Sequence, residues 1–186
     1  IAFGLVLAAL FGGRIAYTWK MDLSKMVDVL IYGMFGGIVC ARAYYVIFQW
    51  DYYSQNPAEI FQIWNGGLAI YGGIIGAFIS SYIYCRVKKL EVLRVFDACA
   101  PGLLIGQAIG RWGNFINQEA YGTVTGSSWW GMQSEVTRMD PDIYALGGGL
   151  VHPCFLYESI WCMLGFIVLH FVSNKRKFNG QIISLY

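Results

Sequence analysis

Charged residues are scarce in this sequence. Lysine, arginine, aspartate and glutamate together make up 13% of its 186 residues, whereas hydrophobic residues make up 57%. Soluble domains carry about 25% charged residues, and the mean hydropathy here is +0.50. The formal net charge is only +2, and the charges are scattered over short segments, so we expect no nucleic-acid partner. The composition predicts a polytopic membrane protein.

The sequence also has no closely spaced cysteines and only two histidines. No two of its five cysteines have CxxC spacing, so neither a disulfide framework nor a zinc site is indicated. We predict no metal site and interpret the cysteines of the apolar runs as packing residues. These are Cys40, Cys85, Cys99 and Cys162.

No signal peptide can be recognised. The sequence starts without methionine inside an apolar run, and another apolar run begins just before its last residue. We expect the chain to be truncated at both ends.

Long apolar segments recur at lengths that suit a bilayer. We predict an all-α integral membrane protein with about six of seven transmembrane segments, forming one membrane domain over residues 1–186. The predicted spans cover residues 1–17, 26–50, 66–85, 95–110 and 151–172, and a further one starts at residue 181.

Basic residues concentrate in the loops after the first, third and fifth spans, which predicts that these loops are cytoplasmic. The opposite loops, 51–65 and 111–150, hold most of the acidic residues and face outward in this topology. The second of them is rich in glycine, tryptophan and tyrosine. We predict that residues 111–150 form a small extracytoplasmic head with its aromatic side chains at headgroup depth.

The run from Gly110 to Gly122 places an arginine, several amides and a carboxylate against an apolar helix. Membrane proteins rarely carry such groups there without a use, and an arginine flanked by glycines suits a lipid phosphate. Gln107, Arg111 and Asn114 have the spacing of one helical face. A structural pairing of Arg111 with Glu119 is the alternative.

A second polar group precedes the fifth span. Pro153 suits the first turn of a helix, and His152 lies at its cap; an ordinary capping histidine is the alternative reading. Glu158 would lie nearly two turns inside that helix. Because an intramembrane carboxylate needs a partner, we predict a structural ion pair between Glu158 and Arg42 of the second span.

Three blocks of this sequence resemble one family. Residues 110–122 resemble the Gly-Arg-x-Gly-Asn-Phe-Ile-Asn signature of prolipoprotein diacylglyceryl transferases, bacterial enzymes that attach lipid to lipoprotein precursors. Residues 65–73 look like the second block of that family, and residues 152–158 look like its His-Pro-x-x-Leu-Tyr-Glu block. A single short motif can match by chance, but three in the same order are specific.

The resemblance implies a reaction, the first step of bacterial lipoprotein maturation. The diacylglyceryl group of phosphatidylglycerol passes to the thiol of a lipobox cysteine in a prolipoprotein, forming a thioether and releasing glycerol phosphate. It implies two substrates, phosphatidylglycerol and a lipobox peptide, and no cofactor. It also implies a multi-pass protein in the lipid bilayer of the cytoplasmic (inner) membrane, with its active site toward the extracytoplasmic face.

The resemblance also assigns residues by position. The residues expected to bind phosphatidylglycerol are Arg111, Asn114, Asn117, Gly122, Gly72 and Gly73. The residues expected to serve catalysis are Arg111, Tyr71, Glu119, Asn114 and His152.

The proton acceptor is the open assignment. The thiolate is the attacking form, so a group must take the thiol proton while Arg111 stabilises the departing phosphate. Many relatives have histidine where this sequence has Tyr71, whose ordinary pKa of about 10 would have to be lowered by a nearby cation. Tyr71 is alternatively a positioning group or an interfacial aromatic residue. The candidates, in order, are Tyr71, Glu119 and His152.

Two other function classes compete with this one. An intramembrane serine protease is disfavoured, because Ser80 and Ser81 lack the glycine pattern of a nucleophile elbow. A non-catalytic lipid-binding protein or transporter-like homologue is the stronger alternative and predicts phospholipid binding without turnover.

Overall fold

The computed structural model describes residues 2–186, and helices dominate them. Four helices are long and apolar enough to cross a membrane, and a shorter apolar helix precedes them. In chain order the α-helices are α1 (Ala2–Thr18), α2 (Leu23–Phe48), α3 (Trp50–Tyr53), α4 (Ile70–Val87), α5 (Val92–Ile116), α6 (Glu135–Met139), α7 (Pro141–Ala145), α8 (Cys154–Ser173) and α9 (Gln181–Leu185). Two 3-10 turns, Pro57–Phe61 and Ile63–Asn65, precede α4.

The predicted all-α membrane class is confirmed, and each predicted span falls on a helix. The four candidate spans are α2, α4, α5 and α8; the larger count of about six stays a prediction. One boundary was wrong: α5 continues to Ile116, so the segment predicted as the head begins with helical residues. Gly110 and Gly113 do not end α5.

The chain divides into two compact units. One unit is Gly13–Val95, and the other combines Ile1–Gly12 with Phe96–Tyr186. The prediction of a single membrane domain over the whole chain remains untested.

In the unit Gly13–Val95, glycines bring α2 and α4 together. A Cβ at Gly72 would lie 2.5 Å from the carbonyl oxygen of Cys40, and one at Gly37 would lie 3.1 Å from the carbonyl oxygen of Gly73. Small residues of this kind allow backbones to approach closely in a membrane, where packing rather than hydrophobic burial drives association. This close packing positions the start of α4.

In the other unit, Asp97 of α5 forms hydrogen bonds with the start of α9. Asp97 is fully buried and accepts hydrogen bonds from the backbone amides of Gly180, Ile182 and Ile183 at 2.7, 3.0 and 2.9 Å. It also pairs with Arg176 at 3.5 Å. Asp97 therefore caps α9 from a different helix, since the first amides of a helix have no partner within it.

In the connection between α5 and α8, Val151 forms isolated antiparallel β-bridges with Val124 and Met132. Beside it, the Tyr121 hydroxyl donates to the Asp140 carboxylate at 2.6 Å. Asp140 also caps α7, accepting from two backbone amides. The Tyr121 hydrogen bond, followed by the backbone one from Asp142, lowers the pKa of Asp140, and the same hydrogen bond to Asp140 raises the pKa of Tyr121.

Candidate functional site

The C-terminal end of α5 turns the chain back on itself. The Glu119 amide donates to the Asn114 carbonyl at 2.9 Å, and the Gln118 amide donates to the Phe115 carbonyl at 3.2 Å. Gln118 has a φ of 56°, the left-handed conformation of a Schellman helix end, here without glycine. This turn places the carboxylate of Glu119 beside the last turn of α5.

Glu119 accepts hydrogen bonds from the two side-chain amides of the signature, Asn114 and Asn117. One oxygen, Oε1, accepts from Nδ2 of both Asn114 and Asn117, each at 3.1 Å. The Asn114 amide is oriented by that bond, so its oxygen accepts from Arg111 Nη1 at 3.5 Å. Arg111, Asn114, Asn117 and Glu119 therefore form one continuous polar group, which we call the signature cluster.

Arg111 forms an ion pair with Glu158 of α8. The side chains of Arg111 and Glu158 are 39% and 49% exposed, so both remain accessible to a ligand. Glu158 is only the fifth residue of α8, nearer the helix start than predicted. The alternative pairing of Arg111 with Glu119 is not formed in the described chain; Asn114 bridges the two instead.

The predicted ion pair between Arg42 and Glu158 is wrong. Arg42 is only 7% exposed, and its guanidinium donates five hydrogen bonds to backbone carbonyls at 2.7 to 3.4 Å. The Tyr53 ring lies 5.2 Å from the guanidinium carbon. Carbonyl dipoles thus replace the carboxylate as the counter-group of this buried charge. The five acceptors belong to Glu59, Ile60, Gln62, Gly66 and Gly67.

Arg42 consequently organises the segment that leads into α4. Gly67 has a φ of 76°, and a Cβ there would lie 2.5 Å from Arg42 Nη1. Glycine is therefore required at position 67, where the backbone meets the guanidinium.

Tyr71 follows this segment as the second residue of α4, and it is 71% exposed. Gly72 packs tightly on α2, and a Cβ at Gly73 would lie 3.6 Å from that of Ala41. Close packing therefore explains glycine at position 72 but not at position 73, and the binding role of both stays a prediction. Tyr71 belongs to the unit Gly13–Val95 and the signature cluster to the other unit, so the catalytic role of Tyr71 also stays a prediction.

His152 is joined to the end of the signature by its backbone. The Gly122 amide donates to the His152 carbonyl at 2.9 Å, and the His152 amide donates to the Thr123 carbonyl at 3.0 Å. A Cβ at Gly122 would lie 2.9 Å from both Cys154 Sγ and the His152 Cβ. Glycine at 122 is explained by this close approach, independently of any substrate contact.

Sequence reasoning missed the side-chain partners of His152. Nδ1 of His152 lies 3.0 Å from the Tyr157 hydroxyl, and Trp130 Nε1 donates to the same hydroxyl at 2.9 Å. Tyr157 stands in the same quoted block as His152 and Glu158, so the block itself was the available signal. No pattern in the sequence pointed to Trp130.

The site therefore brings together a cation, two amides, two carboxylates and a histidine around the junction of α5 and α8. Such an arrangement suits a ligand that carries an anionic headgroup and an apolar tail. A guanidinium and amides can donate hydrogen bonds to such an anion, and exposed apolar helix faces can contact a tail. The two carboxylates orient these donors: Glu119 accepts from both amides, and Glu158 pairs with Arg111.

Comparison with known proteins agrees with this chemistry. The family model of prolipoprotein diacylglyceryl transferase matches residues 1–186. A phosphatidylglycerol–prolipoprotein diacylglyceryl transferase of Finegoldia magna is 46% identical over all of this chain and 70% of its own length. Enzymes of the same name are 44% identical in Lysinibacillus sphaericus and 43% identical in Listeria monocytogenes, each over all of this chain, which covers 68% and 67% of them.

Proposed function

Because the chain belongs to the prolipoprotein diacylglyceryl transferase family, we propose that it transfers the diacylglyceryl group of phosphatidylglycerol to the cysteine thiol of a prolipoprotein lipobox. One observation carries this proposal. The Arg111 side chain is fixed by its contacts with Glu158 and Asn114, yet it remains partly exposed. A phosphate diester and a guanidinium are matched in charge and in hydrogen-bond geometry.

The reaction is a displacement at the glycerol carbon that bears the phosphate. The substrate thiol loses its proton, the thiolate sulfur forms a bond to this carbon, and the carbon–oxygen bond to phosphate breaks. The electron pair of that bond stays on the departing glycerol phosphate. Arg111 stabilises the charge that develops there, which is where a preorganised donor contributes most.

Glu158 and the signature cluster prepare Arg111 for this role. A guanidinium has five N–H donors, and its ion pair with Glu158 engages one edge. An arginine anchored on one edge keeps its remaining donors in a defined direction, so less conformational freedom is lost when phosphate binds. Asn114 and Asn117, aligned by Glu119, add neutral donors and acceptors next to that edge.

The proton acceptor belongs to the set Tyr71, Glu119 and His152. Glu119 is the member that lies inside the signature cluster, and its Oε1 is the oxygen that receives both amides. If Glu119 is the base, we assign its other oxygen as the atom that accepts the thiol proton.

The proposed setting is the bacterial cytoplasmic membrane, with the site on its outer face. The signature cluster lies at the C-terminal end of α5, and the basic residues 86–94 lie around its N-terminal end. By the positive-inside rule, this charge distribution supports an outward-facing cluster, on the side where exported prolipoproteins arrive.

The test is a transfer assay with the whole protein in phosphatidylglycerol vesicles and a lipobox peptide. Mass spectrometry should detect the diacylglyceryl thioether, and Arg111→Ala should lower its rate by about 100-fold or more, the loss typical of a removed transition-state donor. Arg138→Ala is the matched control, since Arg138 is exposed and contacts only Gln133 by side-chain hydrogen bond in the described chain. Folded protein that binds the lipid without forming product would instead identify a non-catalytic lipid-binding protein.

A further inference from the structure

Three side chains near the start of α8 form a hydrogen-bonded chain. Trp130 Nε1 donates to the Tyr157 hydroxyl at 2.9 Å, and this hydroxyl lies 3.0 Å from His152 Nδ1. The Trp130 and Tyr157 rings are stacked, with an angle of 20° between their planes. Stacking and hydrogen bonding therefore hold the Tyr157 hydroxyl in one place relative to His152.

The direction of the second bond follows from the donors present. An indole N–H can only donate, so Trp130 occupies an acceptor position of the Tyr157 oxygen. The Tyr157 hydroxyl retains its own proton, and His152 Nδ1 is the acceptor within reach. If Nδ1 carried the proton instead, two N–H groups would face one oxygen and the hydroxyl proton would have no acceptor in the described chain.

We propose that Tyr157 holds neutral His152 as the Nε2–H tautomer and that His152 therefore serves the reaction as a hydrogen-bond donor. Within residues 2–186 the side chain of His152 forms its hydrogen bond through Nδ1. Nε2 is the ring atom that remains for a substrate, and in this tautomer it bears a proton. Such a histidine stabilises oxygen anions and does not take the thiol proton.

The ligand of this donor is a phosphate oxygen of the lipid, and this assignment rests on the proposed function. His152 is joined by two backbone hydrogen bonds to Gly122 and Thr123, at the end of the signature. On α8, Tyr157 directs His152 and its neighbour Glu158 directs Arg111. The first turns of α8 thus carry the contact residues of both His152 and Arg111. Tyr157 and Trp130 are positioning residues in this arrangement.

The tautomer of His152 can be tested by NMR, without an activity assay. The chain has two histidines, so the ¹⁵N NMR spectrum of histidine-labelled protein in nanodiscs contains two rings, and the signals missing in His152→Gln assign His152. We expect a protonated Nε2 and an unprotonated Nδ1 at neutral pH. Tyr157→Phe should shift the tautomer population, whereas Tyr144→Phe, at an 80% exposed tyrosine, should not. A protonated Nδ1 in the unmodified protein would overturn the proposal.

The donor role is tested by transfer kinetics. The glutamine amide places an N–H where histidine has Nε2, but it cannot accept a proton as a base. We expect His152→Gln to retain activity within about 10-fold, and His152→Ala to lose about 100-fold, as for other removed donors. If folded His152→Gln is as inactive as His152→Ala, His152 is a base and the donor role is overturned.

The two proposals fail in distinguishable ways. Absence of product from the unmodified protein contradicts the transferase function and removes the donor role with it, while the NMR result still decides the tautomer. Normal transfer by the unmodified protein together with the wrong tautomer, or with an inactive glutamine variant, contradicts only the inference about His152.

Discussion

Arg111 and Glu158 form an ion pair that joins the end of α5 to the start of α8. These residues stand in two different motif blocks, and the pair links the blocks in space. Since both side chains are partly exposed, water screens the pair and its contribution to folding stability is small. Its importance lies in the direction that it imposes on the guanidinium.

Removing the charge of Glu158 should impair catalysis more than folding. Glu158→Gln keeps an acceptor oxygen but loses the ionic attraction, so we expect about a 10-fold fall in kcat/KM, roughly 1.4 kcal/mol of transition-state stabilisation. Arg111→Lys should not retain the full activity of the unmodified protein, because an ammonium lacks the planar fork of donors of a guanidinium. Steady-state transfer rates with varied phosphatidylglycerol measure both effects. Glu135→Gln, on α6, is the control, and equal rates for it and Glu158→Gln would contradict the prediction.

Arg42 should contribute strongly to stability. A lysine at this position supplies three donors in place of five, so Arg42→Lys leaves at least two part-buried carbonyls without their present partner. We expect a loss of about 3 kcal/mol in the free energy of unfolding. Thermal unfolding in detergent measures this loss, and hydrogen exchange should rise in residues 57–67. Arg86→Lys, at an exposed arginine of α4, is the comparison and should leave the melting temperature unchanged.

Asp97 should control the start of α9. Asp97→Ala removes the acceptor of three backbone amides and the partner of Arg176, which we expect to destabilise the protein by about 3 kcal/mol. Asp97→Asn should have a smaller effect, because one acceptor oxygen remains. Amide exchange at Gly180, Ile182 and Ile183 measures the loss of the cap. Unchanged protection of these amides in Asp97→Ala would show that Asp97 does not cap α9; Asp142→Asn serves as the exposed control.

The Tyr121–Asp140 hydrogen bond should make the connection between α5 and α8 sensitive to extreme pH. The pKa of Asp140 is lowered in the folded protein, so its stabilisation is complete above about pH 4 and is lost as the pH falls through that lowered value. The pKa of Tyr121 is raised, so its stabilisation is complete below about pH 10 and is lost as the pH rises through the raised value.

The variant Tyr121→Phe tests this relationship directly. It removes the largest cause of the Asp140 shift, so the pKa of Asp140 should rise toward its ordinary value. Backbone hydrogen bonds from Asp142 and Ile143 remain and should keep this pKa somewhat low. Carboxylate ¹³C NMR titration in nanodiscs follows the change, with Tyr144→Phe as control. An Asp140 pKa that is equal in both variants would count against the assignment.

Local sequence signals predicted much of the fold. Apolar length predicted the helices within a few residues, because a helix in a bilayer satisfies all of its own backbone groups and depends little on its neighbours. The predicted span ended at residue 110, but α5 continues through Gly110 and Gly113 to Ile116. A Cβ at either glycine would meet no atom within 4 Å. The left-handed residue that follows the helix is Gln118, so no glycine marks the end of α5 in the sequence.

The sequence by itself determined the membrane class, the family and the identity of the signature cluster. Those properties reside in apolar length and in the order of short motifs. Only the tertiary structure decided which charges meet: Arg111 pairs with Glu158, and Arg42 binds backbone carbonyls. The physical reason is that a charged group pairs with whichever partner the folded backbone brings within hydrogen-bond reach. Carbonyl groups, which every residue carries, leave no mark in a sequence.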